Sequence, residues 1–80
     1  MREPDYVNEL GVKWWKDQSA TSYASVLKDA VVWYLWYPNG RRTYALLIDN
    51  KPVFESEAVA DIGQEVNRRK YEEMQSGRVH

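Results

Sequence analysis

The stretch Ala30–Asp49 restricts the fold more than any other part of the sequence, because it reads AVVWYLWYPNGRRTYALLID. β-Branched and aromatic residues favour strands, and Pro-Asn-Gly between two such runs is a strong hairpin signal. A second tight turn is natural at Asp49 and Asn50, which tolerate left-handed backbone. Pro52 cannot donate to a sheet, so the strand that contains it belongs at an edge. We therefore expect a three-stranded antiparallel meander over about residues 31–37, 41–49 and 52–55.

Pro38 selects the register of the first hairpin. Its φ near −65° excludes it from the first central position of a type I′ turn. Either Asn39 and Gly40 form the I′ pair, or Pro38 and Asn39 form a type I turn with Gly40 as the left-handed bulge residue. The preference of proline for the first central position of type I turns favours the second register. In that register one face carries Val32, Tyr34, Trp36, Arg42, Tyr44 and Leu46. The other face carries Val31, Trp33, Leu35, Tyr37, Arg41, Thr43, Ala45 and Leu47.

Helical spacing occurs on both sides of the meander. After Pro4, apolar residues recur three or four positions apart and predict a helix over about residues 5–16. Gly11 leaves an alternative open, in which a short helix ends there and VKWW is extended. Residues 20–29 fit either a helix or an extra strand. Beyond Ser56, an apolar stripe predicts a helix over about residues 57–74. The 80 residues fit a single small α+β domain, residues 1–80.

Both faces of the predicted hairpin are rich in large apolar side chains. A sheet with one solvated face alternates apolar and polar residues, and this one does not. Other elements must therefore cover both faces, and the N-terminal helix, with Trp14, is the candidate for the second face. If that helix does not cover it, an exposed aromatic patch remains, which is typical of a partner-binding surface.

The composition excludes several kinds of chemistry. There is no cysteine, the one histidine is the last residue, and the net charge is −1. We therefore expect no catalytic, metal or cofactor site, and the chain is predicted not to be an enzyme. The carboxylates of Glu57, Asp61 and Glu65 are four residues apart, which predicts a solvated helix stripe. Without a signal peptide or an apolar run of membrane length, the chain is expected to be cytoplasmic and not bound to a membrane.

The predicted order of helix, three-stranded meander and helix resembles the double-stranded RNA-binding domain, with residues 20–29 left aside. That family binds RNA phosphates with lysines at the start of its last helix. The corresponding stretch here is SEAVAD, which is acidic, so RNA binding does not follow from the resemblance.

Two functional hypotheses remain. The first is a non-enzymatic protein–protein interaction module, such as the small inhibitors or adaptors that phages and mobile elements encode, which also allows a homodimer. The content of Trp, Tyr and Arg in residues 33–44 matches that of protein interface cores. The expected binding residues are Tyr34, Trp36, Tyr37, Arg41, Arg42 and Tyr44, with Arg68, Arg69 and Tyr71 as a secondary group. The alternative is a small nucleic-acid-binding module that uses the arginines of the hairpin tip and of the C-terminal helix, together with Lys70.

Overall fold

The computed structural model describes residues 2–76. They form an α+β fold in which five strands make one antiparallel sheet in the order β1-β2-β3-β4-β5. The strands are β1 (Tyr6–Val7), β2 (Lys13–Lys16), β3 (Ala30–Trp36), β4 (Arg42–Ile48) and β5 (Lys51–Ser56). The helices are α1 (Gln18–Ala24), which lies between β2 and β3 in the chain, and α2 (Val59–Ser76).

The central hairpin adopts the register that Pro38 favours. Trp36 pairs with Arg42, and the Tyr37 amide donates to the Arg41 carbonyl at 2.8 Å. The amide of Gly40 donates to the Tyr37 carbonyl at 2.9 Å, and Gly40 has a φ of +90°. These features are those of a type I turn followed by a glycine bulge, so the preferred register is confirmed.

The second turn and the edge strand also follow from local chemistry. Asp49 and Asn50 both have positive φ, 55° and 64°, as the two central residues of a type I′ turn require. Pro52 lies in β5, which is at one edge of the sheet, where a missing N–H costs little. The expected three-stranded meander is therefore present, as β3, β4 and β5 of a larger sheet.

The predicted helix over residues 5–16 is wrong, because this segment forms a β-hairpin of β1 and β2. Gly11 has a φ of +81°, which ends any helical course. The side-chain oxygen of Asn8 accepts the amides of Leu10 at 2.9 Å and Val12 at 3.0 Å. An Asn side chain that bonds nearby backbone in this way offers it an alternative to helix. The hairpin adds two strands to the sheet where a covering helix was expected.

The helices begin at side-chain caps. The carboxylate of Asp17 accepts the Ala20 amide at 3.0 Å and starts α1, so the first part of residues 20–29 is helical. The hydroxyl of Ser56 accepts the Ala58 amide at 3.3 Å just before α2, which runs from Val59 to Ser76 against the predicted 57–74. Within the described range, neither helix has both the length and the apolar composition that crossing a membrane requires.

Both helices pack on one face of the sheet. The buried cluster there consists of Ala24, Leu27, Val32, Leu46, Ile62 and Val66. A second cluster on the opposite face consists of Val12, Leu35, Ala45 and Leu47. Trp14, Val31, Trp33 and Tyr37 pack against it. Among residues 2–76 this second cluster contains no helix residue, so no N-terminal helix covers the opposite face, and Trp14, Trp33 and Tyr37 remain half-buried there.

Candidate functional site

The helices cover only part of the face on which they pack. Their buried cluster reaches as far as Tyr44. Beyond it, toward the tip of the central hairpin, the same face carries Tyr34, Trp36 and, on β2, Trp15. We call Trp15, Tyr34, Trp36 and Tyr44 the aromatic face. Because Tyr34, Trp36 and Tyr44 remain half-buried, these rings are partly accessible to a ligand.

The four rings of the aromatic face contact one another across three strands. The centroid of Trp15 lies 5.9 Å from that of Tyr34 and 6.2 Å from that of Trp36, and Tyr34 and Tyr44 are 5.1 Å apart. These separations fall in the range of favourable aromatic pairs. Trp15 is buried and donates its indole N–H to the Arg2 carbonyl at 2.8 Å. It therefore anchors the cluster, while the other rings form its accessible part.

Two cations lie on either side of Trp36 in neighbouring strands. Lys13 pairs with Trp36 on one side and Arg42 on the other. The ammonium of Lys13 is 5.8 Å from the ring centroid and the guanidinium of Arg42 is 4.4 Å from it, both within cation–π distance. Neither cation takes part in an ion pair within the described part of the chain.

A groove of about 520 Å³ borders the aromatic face at the start of α1. It is lined by Arg2, Trp15, Lys16, Asp17, Gln18, Ser19, Tyr34 and Tyr44. Its acidic group, Asp17, is the cap of α1, and Arg2 forms an ion pair with Asp5 at 2.7 Å. The hydrogen bond from Arg2 lowers the pKa of Asp5, helped by the Lys16 amide. Burial raises the pKa of Tyr44, so its hydroxyl is neutral at physiological pH.

The predicted residues Tyr37 and Arg41 lie on the opposite face. The Tyr37 hydroxyl donates to Glu55 at 2.5 Å, and the buried Thr43 hydroxyl donates to the same oxygen at 2.6 Å. Burial, followed by this bond to Glu55, raises the pKa of Tyr37. Arg41 donates to Glu57 at 2.9 Å. The six predicted residues are therefore divided, with four on the face that bears the aromatic cluster and two tied to β5 and the segment after it.

The predicted secondary group lies on α2, whereas the aromatic face lies on β2, β3 and β4. Arg68 and Arg69 both pair with Glu65, at 2.5 and 2.7 Å. The hydrogen bond from Arg68 is the largest cause of a lowered Glu65 pKa, and Arg69 adds to it. The side chain of Glu65 is only 11% exposed, so the predicted solvated acidic stripe is wrong at this position. Tyr71 is 63% exposed.

Sequence reasoning missed Lys13 and Trp15 as members of the site. Both lie in the stretch KWWK, which was assigned to a helix. The available signal was the alternative in which Gly11 ends a helix and VKWW is extended. As a strand, KWWK directs Trp14 to one face and Trp15 to the other, and Trp15 pairs with Tyr34.

The arrangement is suited to binding. No cluster of three or more metal-ligating side chains occurs between residues 2 and 76.

Comparisons with protein-family models, curated proteins and solved structures each find no match. The resemblance to the double-stranded RNA-binding domain depended on a helix over residues 5–16, which is a hairpin, so it gains no support.

Proposed function

We propose that the chain is a non-enzymatic protein–protein interaction module that binds a partner protein through the aromatic face. One observation carries this proposal: half-buried Tyr34 and Trp36 lie on the part of the sheet that the helices leave open, and half-buried Tyr44 lies at its border with the helix-covered cluster. Residues of these types dominate the binding energy of protein interfaces. A partner that covers them would remove apolar ring surface from water, which favours association.

The aromatic face is also held in place before binding. Its rings project from three hydrogen-bonded strands, and Trp15 is fixed beneath them by its bond to Arg2. Tyr and Trp side chains have few rotatable bonds, and a rigid scaffold further reduces the entropy lost on association. Tyr37 and Arg41, tied to Glu55 and Glu57, support this function by holding the hairpin tip. A small rigid surface of this kind suits an inhibitor or adaptor of the type that phages and mobile elements encode.

A second candidate is binding of single-stranded nucleic acid. The observation that favours it is Trp36 between two cations that have no acidic partner among residues 2–76, since stacking rings beside basic groups are typical of single-strand binders. The other cations named for this function are already neutralised locally. Each of Arg41, Arg68, Arg69 and Lys70 has a carboxylate oxygen within 3.1 Å. A backbone of phosphates needs several free cations, so the distribution of charge favours a protein partner.

Affinity purification of the tagged chain from its native host, with and without nuclease, separates the two candidates. We expect a protein partner that survives nuclease treatment and is lost with Trp36→Ala. The matched control is Trp33→Ala, on the same strand but the opposite face, which keeps the partner. Recovery of nucleic acid alone, or of the same protein by both variants, would contradict the proposal. Sedimentation of the purified chain tests the homodimeric form, in which a second copy covers the aromatic face.

A further inference from the structure

Lys13, Trp36 and Arg42 form a row across β2, β3 and β4 on the helix-bearing face of the sheet. Each is the direct cross-strand neighbour of the next. Because adjacent strands lie about 4.8 Å apart, the two outer residues are separated by roughly 10 Å at the backbone. The row therefore presents two positive groups at a fixed separation, with an indole between them.

In the described part of the chain, neither Lys13 nor Arg42 has an acidic partner, so both can bind an anion. The guanidinium of Arg42 lies 4.4 Å from the Trp36 centroid, and an arginine stacked on a ring still directs its N–H edge outward for a bidentate carboxylate. Arg41, the neighbour of Arg42 in the chain, forms an ion pair with Glu57 at 2.9 Å. The Glu57 carboxylate is therefore paired with Arg41 and not with Arg42. Stacking also limits the freedom that Arg42 loses on binding.

A cleft lies beside the row, between the tips of the two hairpins. It measures about 210 Å³ and is lined by Gly11, Lys13, Trp36, Tyr37 and Pro38. A β-carbon on Gly11 would lie 3.4 Å from the Pro38 ring, so the two tips are in contact at the floor of the cleft. The rings of Trp36, Tyr37 and Pro38 form part of the cleft wall, and polar atoms contribute about as much of its surface as apolar atoms do, so the cleft suits one side chain that has both apolar and polar atoms.

We propose that the Lys13–Trp36–Arg42 row binds an acidic segment of a protein partner, with one carboxylate on Arg42, a second on Lys13 and a neighbouring side chain in the cleft. In an extended segment, side chains two positions apart lie on the same side and are about 7 Å apart. With the reach of Lys13, acidic residues two positions apart span the row. This inference rests on the proposed function and adds to it the chemistry of the partner.

The test is selection from a displayed library of random twelve-residue peptides against the immobilised full-length chain. Selected peptides are synthesised with a fluorophore, and their affinities are measured by anisotropy. We expect them to carry two acidic residues two positions apart, next to a residue with both apolar and polar side-chain atoms, such as tyrosine. Arg42→Glu should weaken binding by about tenfold or more, since one charge-assisted contact becomes repulsive. Lys13→Glu should act in the same direction. The matched control, Lys51→Glu, makes the same charge change at the exposed start of β5, at the end of the sheet away from the hairpin tip, and should change the affinity by less than about threefold.

The other outcomes overturn the inference in distinguishable ways. The selected peptides could lack acidic residues, or their binding could be unchanged by Arg42→Glu and abolished by Trp36→Ala. Either result would contradict the acidic ligand but keep the aromatic face as the binding surface. If Trp36→Ala and Arg42→Glu both bind the peptides as tightly as the original chain, the acidic ligand and the aromatic face are both contradicted. The selection of no peptide above background would have the same meaning. Tighter binding of a fifteen-nucleotide oligothymidine than of any peptide, lost with Arg42→Glu, would replace the acidic peptide with a phosphate backbone.

Discussion

Arg42 lies over Trp36 across the central hairpin, with its guanidinium carbon 4.4 Å from the ring centroid. This contact depends on the turn, because a one-residue change of register alters every cross-strand pair. The alternative turn, with Asn39 and Gly40 at its centre, would place Trp36 opposite Thr43. Pro38 therefore helps to determine which cation meets Trp36 and which face Arg42 occupies.

Gly40 provides the first prediction, since its φ of +90° is unfavourable for any side chain. No atom lies within 4 Å of a β-carbon built there, so Gly40→Ala tests backbone strain alone. We expect a loss of about 1–2 kcal/mol in the free energy of unfolding, measured with denaturant. Gly63→Ala is the control with the opposite sign. It lies inside α2 with room for a methyl group and should gain about 0.5–1 kcal/mol. An unchanged stability for Gly40→Ala would contradict the bulged turn.

Thr43 provides the second prediction. It is fully buried, and its hydroxyl donates to the same Glu55 oxygen as that of Tyr37. Thr43→Val keeps the shape of the side chain but removes this bond, so we expect the free energy of unfolding to fall by about 1 kcal/mol. Tyr37→Phe removes the other donor to Glu55. Because the two hydroxyls share an acceptor, the effect of the double variant should differ from the sum of the single effects. Strict additivity would mean that the shared acceptor does not couple them.

Asn8 tests the N-terminal hairpin. Its side-chain oxygen accepts the amides of Leu10 and Val12, so Asn8→Ala should reduce stability by about 1–2 kcal/mol and speed hydrogen exchange at the Val12 amide. Asn8→Asp keeps an oxygen acceptor in the same place and is the matched control. If both variants behave like the original chain, the side chain does not hold the turn.

The central hairpin could be predicted from the sequence because its signals are local. Pro38 fixes φ in the first turn, while Gly40, Asp49 and Asn50 tolerate the positive φ that the two turns require. The N-terminal segment could not be predicted in this way. Its apolar residues have helical spacing, and the turn that overrides this spacing depends on the side chain of Asn8 and the positive φ of Gly11.

The wrongly predicted helix over residues 5–16 is also the reason that Lys13 and Trp15 are absent from the predicted site. Tyr34, Trp36, Arg42 and Tyr44 share a face because one hairpin register relates them. Trp15 joins them only through the pairing of β2 with β3, which brings together residues about twenty positions apart. The ion pair between Arg41 and Glu57 also joins residues that are distant in the sequence, so sequence spacing alone does not predict it. The ion pair between Arg68 and Glu72 joins residues four positions apart in α2, and its geometry is set by the two side chains.

Glu65 provides a prediction of pH dependence. Hydrogen bonds from Arg68 and Arg69 lower its pKa in the folded chain. A carboxylate whose pKa is lower in the folded state stabilises the fold above its unfolded pKa, and this stability is lost as the pH falls through the folded value. Glu65→Gln should therefore be less stable than the original chain at pH 7. The difference should begin to shrink as the pH falls below the unfolded pKa of about 4.3 and should vanish only below the lower folded pKa, where the carboxyl group is neutral in both states.

The matched control for Glu65 is Glu73→Gln. Glu73 pairs with Lys70 at 3.1 Å, but its side chain is 57% exposed, so its contribution should be small at every pH. Denaturant unfolding at several pH values measures both variants. A constant difference between Glu65→Gln and the original chain from pH 7 to pH 3 would contradict the assignment of stability to the Glu65 ion pairs.

The central claim is that the aromatic face, and not the opposite face, binds the partner protein. Titration calorimetry of the purified partner against the original chain, Trp36→Ala and Trp33→Ala tests it most directly, once both variants are shown to be folded by circular dichroism. We predict that Trp36→Ala weakens binding by about thirtyfold or more, the loss of an interface hot spot, while Trp33→Ala stays within about threefold of the original affinity. Unchanged affinity for Trp36→Ala, or a larger loss for Trp33→Ala, would contradict the claim.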